Sequence, residues 1–219
     1  MNSFKLFLIS FALLTGASAY SQSADFDEIL DNGIALYDKG DYQGALKLYK
    51  LAQKIDTVSG TLNYEMASTY YALKDTANAL WYCEKSIQSN YKYNEQAYVL
   101  YGSILDGTGN SAAAIAKYKE GLIVYPKSYL LYYNLALTNF NNFNDKEAAE
   151  DAKKALLINP QHAGSHLVMA YIMLAQKKRI PCIFALYNFL LLEPKGKKAE
   201  AAYKELNKQL GYGVTKNDS

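Results

Sequence analysis

Two histidines, His162 and His166, are the only imidazole side chains in this chain of 219 residues. They are four residues apart in the stretch NPQHAGSH. On a continuous helix this spacing puts both rings on one face, which is how some zinc sites begin. A tetrahedral zinc ion needs further ligands, and the repeat pattern described below places no free cysteine or carboxylate beside the pair. We therefore expect no metal at these histidines and no bound cofactor.

A second stretch, GTGNSA, satisfies the dinucleotide-binding fingerprint G-x-G-x-x-A through Gly107, Gly109 and Ala112. That fingerprint requires a preceding strand. The preceding residues, YVLYGSIL, instead keep the register of helices found elsewhere in the chain, so the glycines are expected in a turn between helices. No serine lies in a G-x-S-x-G elbow, and no second histidine region exists to complete a triad. We predict that the protein is not an enzyme.

The organisation of the chain follows from three prolines, Pro126, Pro160 and Pro194, which recur every 34 residues. Each ends a similar phrase, KEGLIVYP, KKALLINP or YNFLLLEP. Equal spacing of a residue that stops helices is typical of stacked identical units. Counting back from the prolines and extending the period upstream gives five repeats, at residues 26–59, 60–93, 95–128, 129–162 and 163–196.

Small residues recur where two helices of a repeat must come close. Numbering each repeat from its first residue, position 8 is always Gly or Ala, and position 20 is Ala in four repeats and Cys in the fifth. Such residues let helix axes cross at about 8 Å rather than 10 Å, which predicts an antiparallel helix pair in each repeat. The residues at position 8 are Gly33, Ala67, Gly102, Ala136 and Ala170, and those at position 20 are Ala45, Ala79, Ala114, Ala148 and Cys182.

The 34-residue period, the small residues and the turn Gly40-Asp41-Tyr42-Gln43-Gly44-Ala45 resemble the tetratricopeptide repeat (TPR) over residues 26–196. The resemblance implies an all-α fold, a right-handed α-solenoid of about five helix-turn-helix repeats. After the last repeat, KKAEAAYKELNKQLG predicts a capping helix over residues 197–210, as solenoids need at their ends. Its apolar stripe is expected to be Ala199, Tyr203, Leu206 and Leu210. Residues 211–219 are expected to be a disordered tail.

The first nineteen residues have the pattern of a signal peptide, with a positive start, an apolar run and the A-x-A site Ala17 to Ala19. The apolar run is too short for a bilayer, which requires about 20 residues. We expect residues 1–19 to be removed, residues 20–25 to form a short leader, and a mature chain without a transmembrane span to reach the periplasm or the exterior of a bacterial cell.

Export permits disulfides, but Cys83 and Cys182 belong to repeats 2 and 5, which the stacked fold keeps far apart. We therefore expect two buried free thiols. The net charge of +2 is too small to indicate nucleic acid as a partner.

In proteins similar to this one, the first helix of each TPR lines a concave groove, chiefly through positions 2, 5, 9 and 12. Transferred to this chain, the resemblance implies an apolar, tyrosine-rich groove for an apolar or aromatic segment of a partner protein or peptide. The candidate groove residues are Leu30, Ile34, Tyr37, Tyr64, Tyr71, Tyr133, Leu137, Phe140, Leu167 and Tyr171.

The same comparison of groove positions excludes one known TPR binding mode. Domains that clamp an acidic peptide C-terminus use Lys, Asn and Arg in the groove, whereas the corresponding residues here are Leu30, Ile34, Glu65, Gln96 and Leu100. The predicted function is thus a scaffold or adaptor without a carboxylate clamp. Two alternatives remain open: the tyrosines pack on one another and close the groove, or the protein is a carbohydrate- or metal-handling accessory protein of the cell envelope.

A second apolar surface is predicted on the second helix of repeat 5. Its normally solvent-facing positions 22, 25 and 29 are Phe184, Tyr187 and Leu191, whereas the first two of these positions in repeat 4 are Glu150 and Lys153. A helix that is apolar all round is buried on more than one side. Either the capping helix covers part of this surface, or it is a homodimer face, a partner site, or the seam to further sequence.

Overall fold

The computed structural model describes residues 25–89 and 95–211, and within them every regular element is a helix and no strand occurs. The predicted signal peptide, residues 20–24 of the leader and residues 212–219 of the tail lie outside the described residues. The chain divides into two compact units, one ending at Leu100 and the other beginning at Tyr101. The all-α repeat fold expected from the sequence is confirmed.

The first unit is built from helix pairs. Within it α3 packs along α4, and α2 packs against α3. The side chains of Asp41, Ser59 and Asp75 cap α2, α3 and α4 by accepting hydrogen bonds from backbone N–H groups of the first turn. Each cap of this kind stabilises a helix by about 1 kcal/mol. The helices are α1 over residues 25–38, α2 (Tyr42–Ile55), α3 (Gly60–Ala72), α4 (Thr76–Gln88) and the first part of α5 (Glu95–Gly107).

The second unit repeats the same pairing. Its most extensive contacts join α7 to α8 and α9 to α10, and α8 contacts α9 between the two pairs. The last helix, α11, packs on α10 and ends at Gly211, one residue beyond the predicted end of the capping helix. The helices after α5 are α6 (Ser111–Val124), α7 (Tyr129–Asn141), α8 (Asp145–Ile158), α9 (Ala163–Ala175), α10 (Arg179–Leu192) and α11 (Lys197–Gly211).

The buried face of α11 differs from the predicted stripe. Ala199 and Leu206 are buried as expected, but Ala202 joins them while Tyr203 and Leu210 are more than half exposed. The predicted stripe was wrong at these two residues because the side facing α10 is lined by small alanines, which allow a closer approach than a tyrosine would. No helix in residues 25–89 and 95–211 is long and apolar enough to cross a membrane.

Both cysteines are buried and free, as the repeat pattern predicts. Burial raises the pKa of the Cys83 thiol to about 12, and the nearby Glu84 adds to the rise. Burial also raises the pKa of Cys182, with a smaller contribution from Glu205. Because the thiolate is the reactive form, neither side chain has the properties of a catalytic or redox-active cysteine.

The turn between the two helices of every repeat contains one residue with a left-handed backbone. These residues share position 15, and their φ angles are 82° at Gly40, 65° at Lys74, 84° at Gly109, 61° at Phe143 and 57° at Lys177. The glycine-rich stretch GTGNSA is therefore the turn of repeat 3, with Gly107 at the end of α5 and Gly109 in the left-handed conformation. A dinucleotide fingerprint needs a strand before it, and this one follows a helix.

Helix packing within the repeats links position 8 to position 24. Gly33 and Gly102 occupy position 8 where position 24 is a buried tyrosine, and a methyl group added to either glycine would overlap the ring of Tyr49 or Tyr118. The other three repeats combine alanine at position 8 with a smaller side chain at position 24, namely Cys83, Ala152 or Leu186. The size of one residue thus compensates for the size of the other.

We predict that Gly102→Ala destabilises the protein by about 1–3 kcal/mol, because the added methyl group overpacks the site against the Tyr118 ring. Adding Tyr118→Leu reproduces the Ala170 and Leu186 combination of repeat 5 and should recover part of the loss. Urea unfolding of the two single variants and the double variant measures the coupling. Strictly additive losses would show that the two positions do not share one packing site.

Candidate partner-binding groove

In the first unit the candidate groove residues lie on α1 and α3 and differ in exposure. Leu30 is buried in the core, and Ile34, Tyr37 and Tyr64 are partly buried. Tyr71 is 37% exposed and is the member of this set most available to a partner. Leu30 therefore supports the helix pair, whereas Tyr71 presents an aromatic surface to solvent.

Glu65 on α3 sets the electrostatics of this face. Burial raises the pKa of its carboxyl to about 7, and the nearby carboxylate of Asp38 contributes to the rise. Burial, with Glu65 as a further cause, also raises the pKa of the Tyr37 and Tyr64 phenols. The face therefore offers neutral hydroxyl groups and a carboxyl that is partly protonated near neutral pH, which is a poor setting for an anionic C-terminus.

In the second unit the candidate residues lie on α7 and α9. Leu167 is buried in the core, and Tyr133, Leu137 and Phe140 are partly buried and pack against that core. Tyr171 on α9 is 38% exposed. The structure thus divides the predicted set of each unit in the same way, into residues that hold the helices together and one tyrosine that is more open to solvent.

Sequence reasoning missed the hydrogen bonds that Asp106 makes beside the α7 face. Asp106 near the end of α5 accepts hydrogen bonds from the Ser111 hydroxyl at 2.6 Å and from the Thr138 hydroxyl at 3.0 Å. These bonds tie α5 to α6 and to α7. Asp106 occupies groove position 12 of repeat 3, and its carboxylate is engaged in holding the helices rather than directed at a partner.

The two histidines are separate parts of the joint between repeats 4 and 5. His162 is the N-cap of α9, and its Nδ1 accepts the backbone N–H of Ser165 at 3.2 Å. The ring of His162 also lies against Tyr129 and Tyr133, with centroid distances of 5.0 and 4.8 Å. Nε2 of His166 donates to the carbonyl oxygen of Pro160 at 2.8 Å.

These contacts leave the histidine pair without the geometry of a metal site. In residues 25–89 and 95–211 there is no group of three His, Cys, Asp or Glu side chains arranged to hold an ion. Burial lowers the pKa of His162, and the neighbouring His166 lowers it further. A neutral ring with an unprotonated Nδ1 is the form that can accept the N–H of Ser165.

Comparison with known proteins agrees with the repeat architecture. A family model described as tetratricopeptide repeat matches residues 129–162, which are α7, α8 and the turns around them. Residues 129–162 therefore match the tetratricopeptide repeat family. A TPR repeat-containing protein of Methanocaldococcus jannaschii is 28% identical over 128 residues, which cover 54% of this chain and 22% of that protein. The chain therefore spans about a fifth of the length of that relative.

Solved structures of other proteins show the same fold over most of the chain. PilF of Pseudomonas aeruginosa matches with a TM-score of 0.76 and 18% identity, covering 87% of this chain and 86% of PilF. YrrB, described as a TPR protein with an unusual peptide-binding site, matches with a TM-score of 0.58 and 16% identity, covering 80% of this chain and 90% of YrrB. At these identities the similarity establishes the fold.

We predict that His162 makes the TPR array less stable at mildly acidic pH. Its pKa is below 6.5 in the folded protein, so the unfolded chain takes up the proton first, and stability falls as the pH drops below about 6.5 towards the folded value. Protonation would also remove the acceptor that caps α9. His162→Asn keeps a capping oxygen and should abolish this part of the pH dependence.

The measurement is urea unfolding of both proteins at pH 7.5 and pH 5.5. Glu65 acts in the opposite direction, because a carboxyl with a folded pKa raised from 4.5 to about 7 gains stability as the pH falls through this range. Its contribution is common to both proteins and cancels in the difference. An equal pH dependence for the wild type and His162→Asn would contradict the prediction.

Proposed function

We propose that the protein is an exported, non-enzymatic TPR scaffold that binds an apolar or aromatic segment of a partner protein through the first helices of its repeats. The observation that supports this proposal best is the exposure of Tyr71 and Tyr171. Each lies on a first helix in which other candidate residues are buried or partly buried, and each leaves more than a third of its surface open.

Tyrosine is well suited to this use. It offers a large rigid surface and a hydroxyl group, and ordering it on binding costs little side-chain entropy. The partly buried Leu137 and Phe140 on α7 add apolar surface in the second unit. A groove of this kind favours a hydrophobic helix or an extended peptide. The description of YrrB as having a peptide-binding site supports peptide binding as an activity available to this fold.

The side chains around Glu65 limit which part of a partner protein can bind in the groove. A carboxylate clamp needs cationic and amide groups that donate to an anionic C-terminus. Here one of the corresponding residues is the acid Glu65, and burial and Asp38 disfavour further negative charge beside it. The proposed ligand is therefore an internal apolar or aromatic segment rather than a free acidic C-terminus.

Export is proposed from the sequence of residues 1–19, which has the three parts of a signal peptide. Expression of the full-length gene in a bacterium should give a mature protein outside the cytoplasm whose mass corresponds to a start near Tyr20. Intact-mass spectrometry of the fractionated cells tests this. A protein of unchanged mass in the cytosol would contradict it.

A second candidate function, carbohydrate binding, is favoured by one feature of the first unit. Trp81, the only tryptophan of the chain, is 50% exposed on α4 and lies beside Tyr82. Together with lysines and Gln53 it lines an open recess between α2 and α4. Sugar rings stack on exposed indoles, so binding on a glycan array that Trp81→Ala abolishes would favour this function over the scaffold.

We predict that Tyr71→Ala and Tyr171→Ala each weaken binding of the partner by about 5- to 30-fold, the effect expected when an aromatic anchor is lost. Tyr203→Ala is the matched control, because Tyr203 is an exposed tyrosine on α11, outside the first helices. The partner is first identified by co-purification from envelope extract and mass spectrometry, and its affinity for each variant is then measured by calorimetry.

Far-UV circular dichroism accompanies each measurement. Unchanged helicity with weaker binding supports the groove. If Tyr71→Ala or Tyr171→Ala lowers the helicity, the tyrosine has a packing role instead, as in the self-packed alternative. If Tyr203→Ala weakens binding as much as the groove variants do, the partner binds elsewhere.

A further inference from the structure

The exposed side of α10 is an uninterrupted apolar row. Ile180, Phe184, Tyr187 and Leu191, here called the α10 stripe, are each more than half exposed, and Phe184 is 64% exposed. Their spacing of four, three and four residues puts them on one line along the helix. The opposite side of α10 is buried with α9 and α11, so the capping helix does not cover the stripe.

The stripe is specific to the last repeat. The same four positions on α8 are Lys146, Glu150, Lys153 and Leu157, so three of the four carry charge there. On α6 they are two alanines, a lysine and an isoleucine. At the first three of these positions repeat 5 has large apolar residues where repeats 3 and 4 have charged or small ones, whereas the last position is large and apolar in all three repeats. The complete apolar row on α10 indicates that this surface meets something other than water.

The arrangement of the stripe is symmetric about the middle of α10. If a second α10 lies antiparallel across the first, Ile180 of one copy faces Leu191 of the other, and Phe184 faces Tyr187. Every large apolar residue of the stripe then meets a large apolar residue. A two-fold pair of identical helices requires this self-complementarity, because the same patch serves as both halves of the contact.

The charges at the two ends of α10 favour the same arrangement. Lys177 and Lys178 precede the helix and Glu193 follows it, and all three are exposed. In the antiparallel register Glu193 of one copy faces Lys178 of the other and the helix dipoles oppose each other, whereas parallel pairing would bring Lys177 and Lys178 of both copies together. Arg179 is turned to α11, where its guanidinium donates to the carbonyl oxygens of Gln209 and Leu210.

We propose that the α10 stripe is the contact surface of a homodimer, in which the α10 helices of two copies pair antiparallel about a two-fold axis. This goes beyond the binding of a partner in the groove and does not depend on it. Four half-exposed large side chains form a patch comparable with the largest that a monomer usually exposes, roughly 300–600 Å². Two such patches bury less than the roughly 1,200–2,000 Å² of a standard interface, so the dimer dissociates in the micromolar range.

The first test is sedimentation equilibrium of the protein obtained from the full-length gene, over roughly 1–100 µM, the range that spans a micromolar dissociation constant. The wild type should change from monomer to dimer across this range. Phe184→Asp and Leu191→Asp should each weaken the dimer by more than about tenfold, because a carboxylate would be buried against an apolar residue. Circular dichroism checks that each variant is folded. One folded variant is enough for the test.

Leu157→Asp is the matched control. Leu157 occupies the same repeat position as Leu191 on the preceding second helix and is 73% exposed, against 63% for Leu191. The Leu157→Asp variant should dimerise as the wild type does. A protein that stays monomeric at all concentrations overturns the proposal. A dimer that survives both stripe variants, or one that Leu157→Asp also dissociates, overturns it as well.

The second test establishes the direction of pairing by oxidative cross-linking. In the antiparallel pair, a mixture of the Ile180→Cys and Leu191→Cys variants gives a disulfide-linked dimer of one copy of each, and either variant alone gives none. The native thiols of Cys83 and Cys182 are buried and do not interfere. Cross-linking of Ile180→Cys with itself would show parallel pairing and overturn the proposed arrangement.

Discussion

The close contact between the two helices of each repeat is the interaction on which the rest of the structure depends. It is set by position 8 of the first helix and position 24 of the second. Where position 8 is glycine, the buried ring of Tyr49 or Tyr118 occupies the space that a methyl group would need. Where it is alanine, the opposite residue is smaller. Cores are close-packed, so one added methyl group must be compensated elsewhere.

Much of this fold could be predicted because a stacked array repeats its geometry in the sequence. The prolines and the small residues at position 8 recur with the same spacing. The left-handed backbone at position 15 recurs only in the structure, because Lys74, Phe143 and Lys177 are not glycines. The compensation between positions 8 and 24 was present in the same alignment of repeats and could have been found there. The Asp106 to Thr138 hydrogen bond could not, because it joins different positions of neighbouring repeats and occurs once. The openness of the groove could not either, because exposure depends on how each side chain packs.

His162 shows how one repeat position can serve the same purpose with different chemistry. At α3, α7 and α9 the residue before the first helix of the repeat caps that helix, and at α3 and α7 it is a serine, Ser59 or Ser128. At α9 it is His162, which accepts a backbone N–H through a ring nitrogen instead of a hydroxyl oxygen. A serine cap does not titrate, whereas a histidine cap does, so this substitution introduces a proton-sensitive contact into an otherwise pH-independent element.

The way the array ends explains why α10 differs from the other second helices. Position 27 is a small buried residue in the first four repeats, and in repeat 5 it is the bulky Phe189. Phe189 is fully buried in a cluster that includes Ala199 and Ala202 of α11, so alanines on the capping helix provide the small partners that the large ring requires. The last repeat is thus closed by a dedicated helix on one side. Within residues 25–89 and 95–211 no helix covers the stripe on the other side of α10, and its symmetry supports the second copy that we propose as its occupant.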